Sequence, residues 1–118
     1  RNIATDYPYY IYEIDGTIAG YCYAHSWKTR KACQLTAETT VYIAPQHTGK
    51  GIGQLLMKRL IKECRNRKLH ASIACITAEN TGSCIMHEKL GFKKVSAFYE
   101  VAFKAGQYLG VADYELIL

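Results

Sequence analysis

Runs rich in aromatic and β-branched residues, broken by turn signals, mark the first third of the chain. Tyr9 to Ile14 reads as a strand rich in Tyr and Ile, Asp15-Gly16 as a hairpin turn, and Thr17 to about His25 as the returning strand. Ser26 to Gln34 is polar and basic, which predicts a loop able to line a site. A third strand runs from Leu35 to Ile43, dominated by β-branched and aromatic residues in Thr39-Thr40-Val41-Tyr42-Ile43. Pro45 ends it, and a glycine-rich turn follows from Gln46 to Gly53. There the period changes to helical, with Ile52, Leu55, Leu56, Leu60 and Ile61 on one predicted face. Leu69 to Thr77 reads as an apolar strand. Asn80 to Leu90 reads as a short helix that turns Ile85, Met86 and Leu90 to the core and stops at Gly91. Phe92 to Phe103 and Val111 to Leu118 are the closing strands. The order β-β-β-α-β-α-β-β, opening on an antiparallel meander, predicts an α+β fold with a mixed, mostly antiparallel sheet flanked by helices.

Composition narrows this only a little. The 118 residues predict a single domain over 1–118, and 49% hydrophobic with 21% charged residues excludes a disordered tail. No apolar run reaches the ~18 residues of a membrane span, so no membrane partner is expected. Five cysteines at 22, 33, 64, 75 and 84 contain no Cys-x-x-Cys pair. No metal site is therefore expected, and reduced thiols point to a cytoplasmic protein. The formal charge is +5, with Lys58, Arg59, Lys62, Arg65, Arg67 and Lys68 crowded into one stretch. That cluster is either a solvated helix face or an attractor of an anionic partner.

The most informative local feature is Gly49-x-Gly51-x-Gly53 between a strand and a helix. Alternating glycines let backbone N–H groups approach an anion, and the helix that follows points its positive dipole end at the same place. Phosphate binding is the natural use; a tight turn without a ligand is the alternative. A Walker A loop is excluded because Gly51, not Ser or Thr, follows Lys50. A dinucleotide fingerprint is excluded by the glycine spacing, Gly-x-Gly-x-Gly rather than Gly-x-Gly-x-x-Gly, and by the antiparallel hairpins that precede it.

Gln46-x-x-Gly49-x-Gly51 resembles the Gln/Arg-x-x-Gly-x-Gly/Ala signature of the GNAT superfamily of acetyl-CoA-dependent N-acetyltransferases. Asn80-x-x-Ser83 and His87-Glu88-Lys89-Leu90-Gly91-Phe92 resemble that superfamily's later block. Trp27-Lys28-x-Arg30-x-Ala32, Thr36-Ala37-Glu38-x-Thr40-Val41-Tyr42-Ile43, and the ending Glu100 to Lys104 with Gly106 and Asp113 are similar to the phosphinothricin branch, whose members acetylate amino acids. Cys33 and Leu35 depart from that branch, which carries aromatic residues there.

The resemblance implies acetyl transfer from acetyl-CoA to the amine of a small amino acid analogue, of phosphinothricin or methionine sulfoximine and sulfone type. It implies that the backbone of Val41, Tyr42 and Ile43 pairs with the pantetheine arm, and that Gly49, Lys50, Gly51, Ile52, Gly53 and Gln54 wrap the pyrophosphate. Asn80 would touch the cofactor from the second helix. Glu38 would be the base that deprotonates the amine, since a primary ammonium is charged near neutrality; otherwise it is an exposed strand carboxylate. His87 would protonate the leaving thiolate, hydrogen-bond the substrate, or serve structure alone. Lys28 and Arg30 would meet a substrate carboxylate or phosphinate, or stay solvated. His25, His47 and His70 read as surface or structural residues. The resemblance also implies a homodimer, and the lack of an RNA-binding octapeptide argues against nucleic acid. Complete domains of this kind carry a strand and one or two helices before the meander, so the chain from Arg1 is expected to be an N-terminally truncated part of a longer protein.

Overall fold

A computed structural model describes residues 7–28 and 30–118. Six strands and two α-helices follow one another as β1 (Tyr9–Ile14), β2 (Thr17–Ser26), β3 (Thr36–Ile43), α1 (Ile52–Asn66), β4 (Ala71–Thr77), α2 (Thr81–Lys89), β5 (Lys93–Lys104) and β6 (Gln107–Ile117). The strands form one sheet in the order β1-β2-β3-β4-β6-β5. Every neighbouring pair is antiparallel except β3–β4, which the crossover through α1 makes parallel. The mostly antiparallel α+β sheet expected from the element order is the one observed.

One sheet face is packed and the other is open. Cys22 and Ala24 on β2, Ala37 and Thr39 on β3, Ser72, Ala74 and Ile76 on β4, and Ala112, Tyr114 and Leu116 on β6 are all buried. Alternation with half-buried or exposed neighbours puts those of β2, β3 and β6 on one face, and the register of β4 with β3 and β6 adds Ser72, Ala74 and Ile76 to it. α1 covers that face with Ile52, Leu56, Met57, Leu60, Ile61 and Cys64. The opposite face carries Tyr9, Tyr21, Tyr23 and Tyr42, whose rings lie 5.3 to 6.2 Å apart. Among the described residues no helix lies on that face.

Two expected core positions are corrected. Leu55 is 56% exposed, because at 100° per residue it sits about 150° from the centre of the buried stripe. Met57 and Cys64 take up that face instead. Ile85 is 53% exposed for the same reason: the inward stripe of α2 runs through Ser83, Met86, His87 and Leu90. The last strand also starts four residues earlier than expected, at Gln107, because Ala105 and Gly106 adopt positive φ and close a tight hairpin with β5. The basic residues of α1 are all exposed; Arg67 pairs with Glu63 at 2.9 Å and Arg59 lies 5.0 Å over the Tyr10 ring.

Candidate active site

The parallel pairing of β3 with β4 stops early. Thr36, Ala37 and Glu38 pair with Ala71, Ser72 and Ile73, and no pairing continues beyond them. Yet β3 stays paired to β2 as far as Ile43, and β4 stays paired to β6 as far as Thr77. Each strand thus keeps its outer neighbour and parts from its inner one, which opens a V in the middle of the sheet. Thr39 Oγ1 and Ser72 Oγ, 2.9 Å apart and buried, tie the two strands together at the vertex. Along the open arm, the inward edge of Val41, Tyr42 and Ile43 presents backbone N–H and C=O groups to the gap rather than to a strand.

A cavity of about 640 Å³ occupies this gap, within the usual range of ligand pockets. Its walls include Val41, Tyr42 and Ile43 from β3, the turn Gly49, Gly51, Ile52, Gly53 and Gln54, and Asn80 at the start of α2. His47, Thr48, Gly82, Ser83, Met86 and Lys89 line it too. Of the residues expected to hold a cofactor, only Lys50 is not in the wall. It is exposed, with Nζ 3.0 Å from His47 Nδ1. His47, read from sequence as a surface or structural residue, does line the cavity; its place after Pro45 at the head of the glycine turn is the signal that marks it.

The turn owes its shape to two glycines. Gly49 and Gly51 have φ of 78° and 79°, the left-handed region that other residues enter at a cost. Gly51 is the N-cap of α1 and supplies no side-chain cap. The first helical bond runs from Leu55 N to Gly51 O at 3.2 Å, so the N–H groups of Ile52, Gly53 and Gln54 have no helical partner. They crown the positive end of the helix dipole at the wall of the cavity, which suits an anion. Gly53 is small for another reason: a Cβ there would stand 3.1 Å from Met86 Sδ and 3.6 Å from Ile43 Cγ1. It lets α1, α2 and β3 converge beneath the gap. α2 is capped differently, Asn80 Oδ1 accepting from Ser83 N at 3.2 Å, which leaves the Asn80 amide N–H groups as donors.

Glu38 stands at the vertex, the last β3 residue paired with β4. It lies between buried Ala37 and Thr39, so its carboxylate projects from the open face, half-buried, with Oε2 3.9 Å from His25 Nε2. His87 lies elsewhere. It is 2% exposed, edge-on to Phe92 at 4.9 Å, and its Nδ1–H donates to Ser83 O at 2.8 Å. Burial lowers its pKa from the ordinary 6.5, opposed in part by that bond, so near neutrality Nε2 is an unprotonated acceptor. Lys28 and Arg30 are exposed on the β2–β3 connection, outside the cavity, and the Lys28 ammonium lies 4.9 Å from the Trp27 ring. The expected site residues thus divide into three groups: a cavity wall, one carboxylate at the vertex, and residues that line neither.

Comparison with known proteins places this arrangement. The chain is 34% identical over 112 residues to the L-methionine sulfoximine/L-methionine sulfone acetyltransferase of Salmonella typhimurium, covering 95% of this chain and 66% of that protein. It is 36% identical over 105 residues to the phosphinothricin N-acetyltransferase of Alcaligenes faecalis, covering 86% and 52%. It thus spans between half and two-thirds of the length of these relatives. Its fold is similar to the crystal structure of a phosphinothricin acetyltransferase from Sinorhizobium meliloti in complex with acetyl-CoA, with a TM-score of 0.90 and 31% identity over 95% of this chain and 61% of that one. The acetyltransferase (GNAT) family profile matches residues 2–92, and with a glycine turn, a split sheet and relatives that all agree, the chain belongs to the acetyltransferase (GNAT) family.

Proposed function

We propose that this chain is the acetyl-CoA-binding part of an N-acetyltransferase domain that acetylates the amine of a small amino acid analogue, of the phosphinothricin or methionine sulfoximine and sulfone type. The observation that carries the reading is the split between β3 and β4. It pairs an unused strand edge at Val41–Ile43 with three uncapped N–H groups at Ile52–Gln54. An extended amide-bearing arm can add to the first, as one more strand. A pyrophosphate can sit on the second. The residues present therefore fit the group in both shape and charge.

Acetyl-CoA supplies the acetyl group on a thioester, whose C–S bond breaks as the C–N bond to the amine forms. The residues of the chain do the rest. A backbone N–H of the 41–43 edge meets the charge that develops on the carbonyl oxygen, as a fixed dipole. Glu38, at the vertex and open to the other face, takes the proton of the arriving ammonium, directly or through water. His87, neutral and packed on Phe92, holds α2 in place; its burial supports this structural role over that of an acid. Lys28 and Arg30, exposed on the loop after β2, supply the positive charge that would meet a substrate carboxylate or phosphinate. The five free thiols support a cytoplasmic setting.

A thiol-release assay with acetyl-CoA and a panel of amino acids tests the reading. Wild type should release thiol with phosphinothricin or L-methionine sulfone, and Glu38→Gln should lower kcat by roughly 10²–10⁴-fold with acetyl-CoA binding unchanged. A protein that binds acetyl-CoA but releases thiol with no amine is a binding module instead. Full activity in Glu38→Gln removes it as the base.

A further inference from the structure

Beside Glu38 on the open face runs a row of three side chains that the acetyl-transfer reading does not use. Cys75 on β4, Asp113 on β6 and Ser96 on β5 are in register across neighbouring strands. Cys75 Sγ donates to Asp113 Oδ1 at 3.0 Å, and Ser96 Oγ donates to Asp113 Oδ2 at 2.7 Å. Cys75 lies beyond Ile73, where β4 has already parted from β3, so the row opens directly onto the split. Burial, then the neighbouring carboxylates Asp113 and Glu38, push the Cys75 thiol up to about 12, so it stays a protonated donor.

Both oxygens of Asp113 are thereby fixed, one donor to each. A carboxylate has about four lone-pair sites, so roughly half of its accepting capacity stays open. Asp113 lies between buried Ala112 and Tyr114, which turns its side chain to the same face as Glu38. Glu115 and Lys93 face each other one row further on, and His25 flanks Glu38 on the far side. An ammonium brings three N–H donors. Glu38 removes one proton, and the pair of electrons this frees must point at the acetyl carbon. The remaining N–H groups need an acceptor on the open face that does not move.

We propose that Asp113 is that acceptor: its clamped carboxylate hydrogen-bonds the ammonium of the incoming primary amine and orients the nitrogen between Glu38 and the split. The inference rests on the acetyl-transfer reading and adds a residue that sets acceptor affinity. Ser96 and Cys75 act through Asp113 as positioning residues.

The test is steady-state kinetics of Asp113→Asn and Ser96→Ala with L-methionine sulfone, beside NMR titration of the same amine without acetyl-CoA. Asp113→Asn keeps the shape and removes the charge. Its KM for the amine should rise at least about tenfold and its kcat should fall as the nitrogen loses its orientation, with the KM for acetyl-CoA within about threefold. Ser96→Ala should move the amine KM the same way by less, roughly threefold. A structural role would instead shift both KM values together. Unchanged amine KM, or equal shifts for both substrates, overturns the proposal while leaving acetyl transfer intact. If wild type transfers acetyl to no amine, the functional reading fails and the titration decides alone. Tenfold weaker amine binding by Asp113→Asn supports the proposal, and equal or absent binding overturns it.

Discussion

Gly51 gives the sharpest handle on the glycine turn, because its replacement by alanine separates backbone strain from loss of a binding site. Its φ is 79°, and an added Cβ meets nothing within 4 Å, so the cost of Gly51→Ala is conformational and not steric. Holding a non-glycine residue in the left-handed region costs about 1–2 kcal/mol. At roughly 2.1 cal/mol/K per residue, 118 residues have an unfolding entropy near 250 cal/mol/K, so Tm should fall by about 4–8 °C. Gly16, in the β1–β2 hairpin, is the control: its φ is 77° and its Cβ also meets nothing within 4 Å. The two variants should lose the same stability in thermal or urea unfolding. In calorimetric titration they should part. Relaxing the turn at residue 51 redirects the N–H groups of Ile52–Gln54, and weakening even one charge-assisted bond costs acetyl-CoA affinity about tenfold. Gly16→Ala should bind as wild type does. A wild-type Tm in Gly51→Ala, or equal loss of affinity in both variants, would refute the reasoning.

Other consequences concern the core and pH. Leu60 is fully buried, so Leu60→Ala should cost about 2–5 kcal/mol, whereas Leu55→Ala on the exposed flank should stay within ~0.5 kcal/mol; urea midpoints decide. Ser72→Ala leaves the Thr39 hydroxyl without its partner at the vertex and should cost roughly 1–3 kcal/mol by the same measurement. The depressed pKa of His87 means that the unfolded chain takes up its proton first as pH falls. Stability should therefore drop as pH falls through the ordinary value of 6.5, and level off only below the folded-state value, at no more than about 1.4 kcal/mol per pH unit. His87→Gln should flatten that dependence; a slope unchanged in the variant assigns it to other groups.

The order of elements and the glycine turn are legible in the sequence because each rests on local physics. Aromatic and β-branched runs mark β1 to β3, Asp15-Gly16 marks their first turn, and alternating glycines ahead of an amphipathic segment mark an N-terminus poised for an anion. The errors at Leu55 and Ile85 arise where an apolar residue stands on the side of the helix turned away from the buried stripe. Hydrophobicity admits such a residue, and only the angle at which the helix meets the sheet decides. Glu38 could be singled out through resemblance, but its surroundings could not.

By itself, then, the sequence determined which segments are strands and helices and where the backbone can turn left-handed, since these depend on neighbours a few residues apart. Tertiary structure alone decided that β3 and β4 part after Glu38 and Ile73, and that His87 faces the core rather than the cavity. It alone set Cys75, Asp113 and Ser96 in one row. These features join residues 17 to 38 positions apart through strand register, and register is fixed by the whole sheet closing on its core rather than by any local pattern.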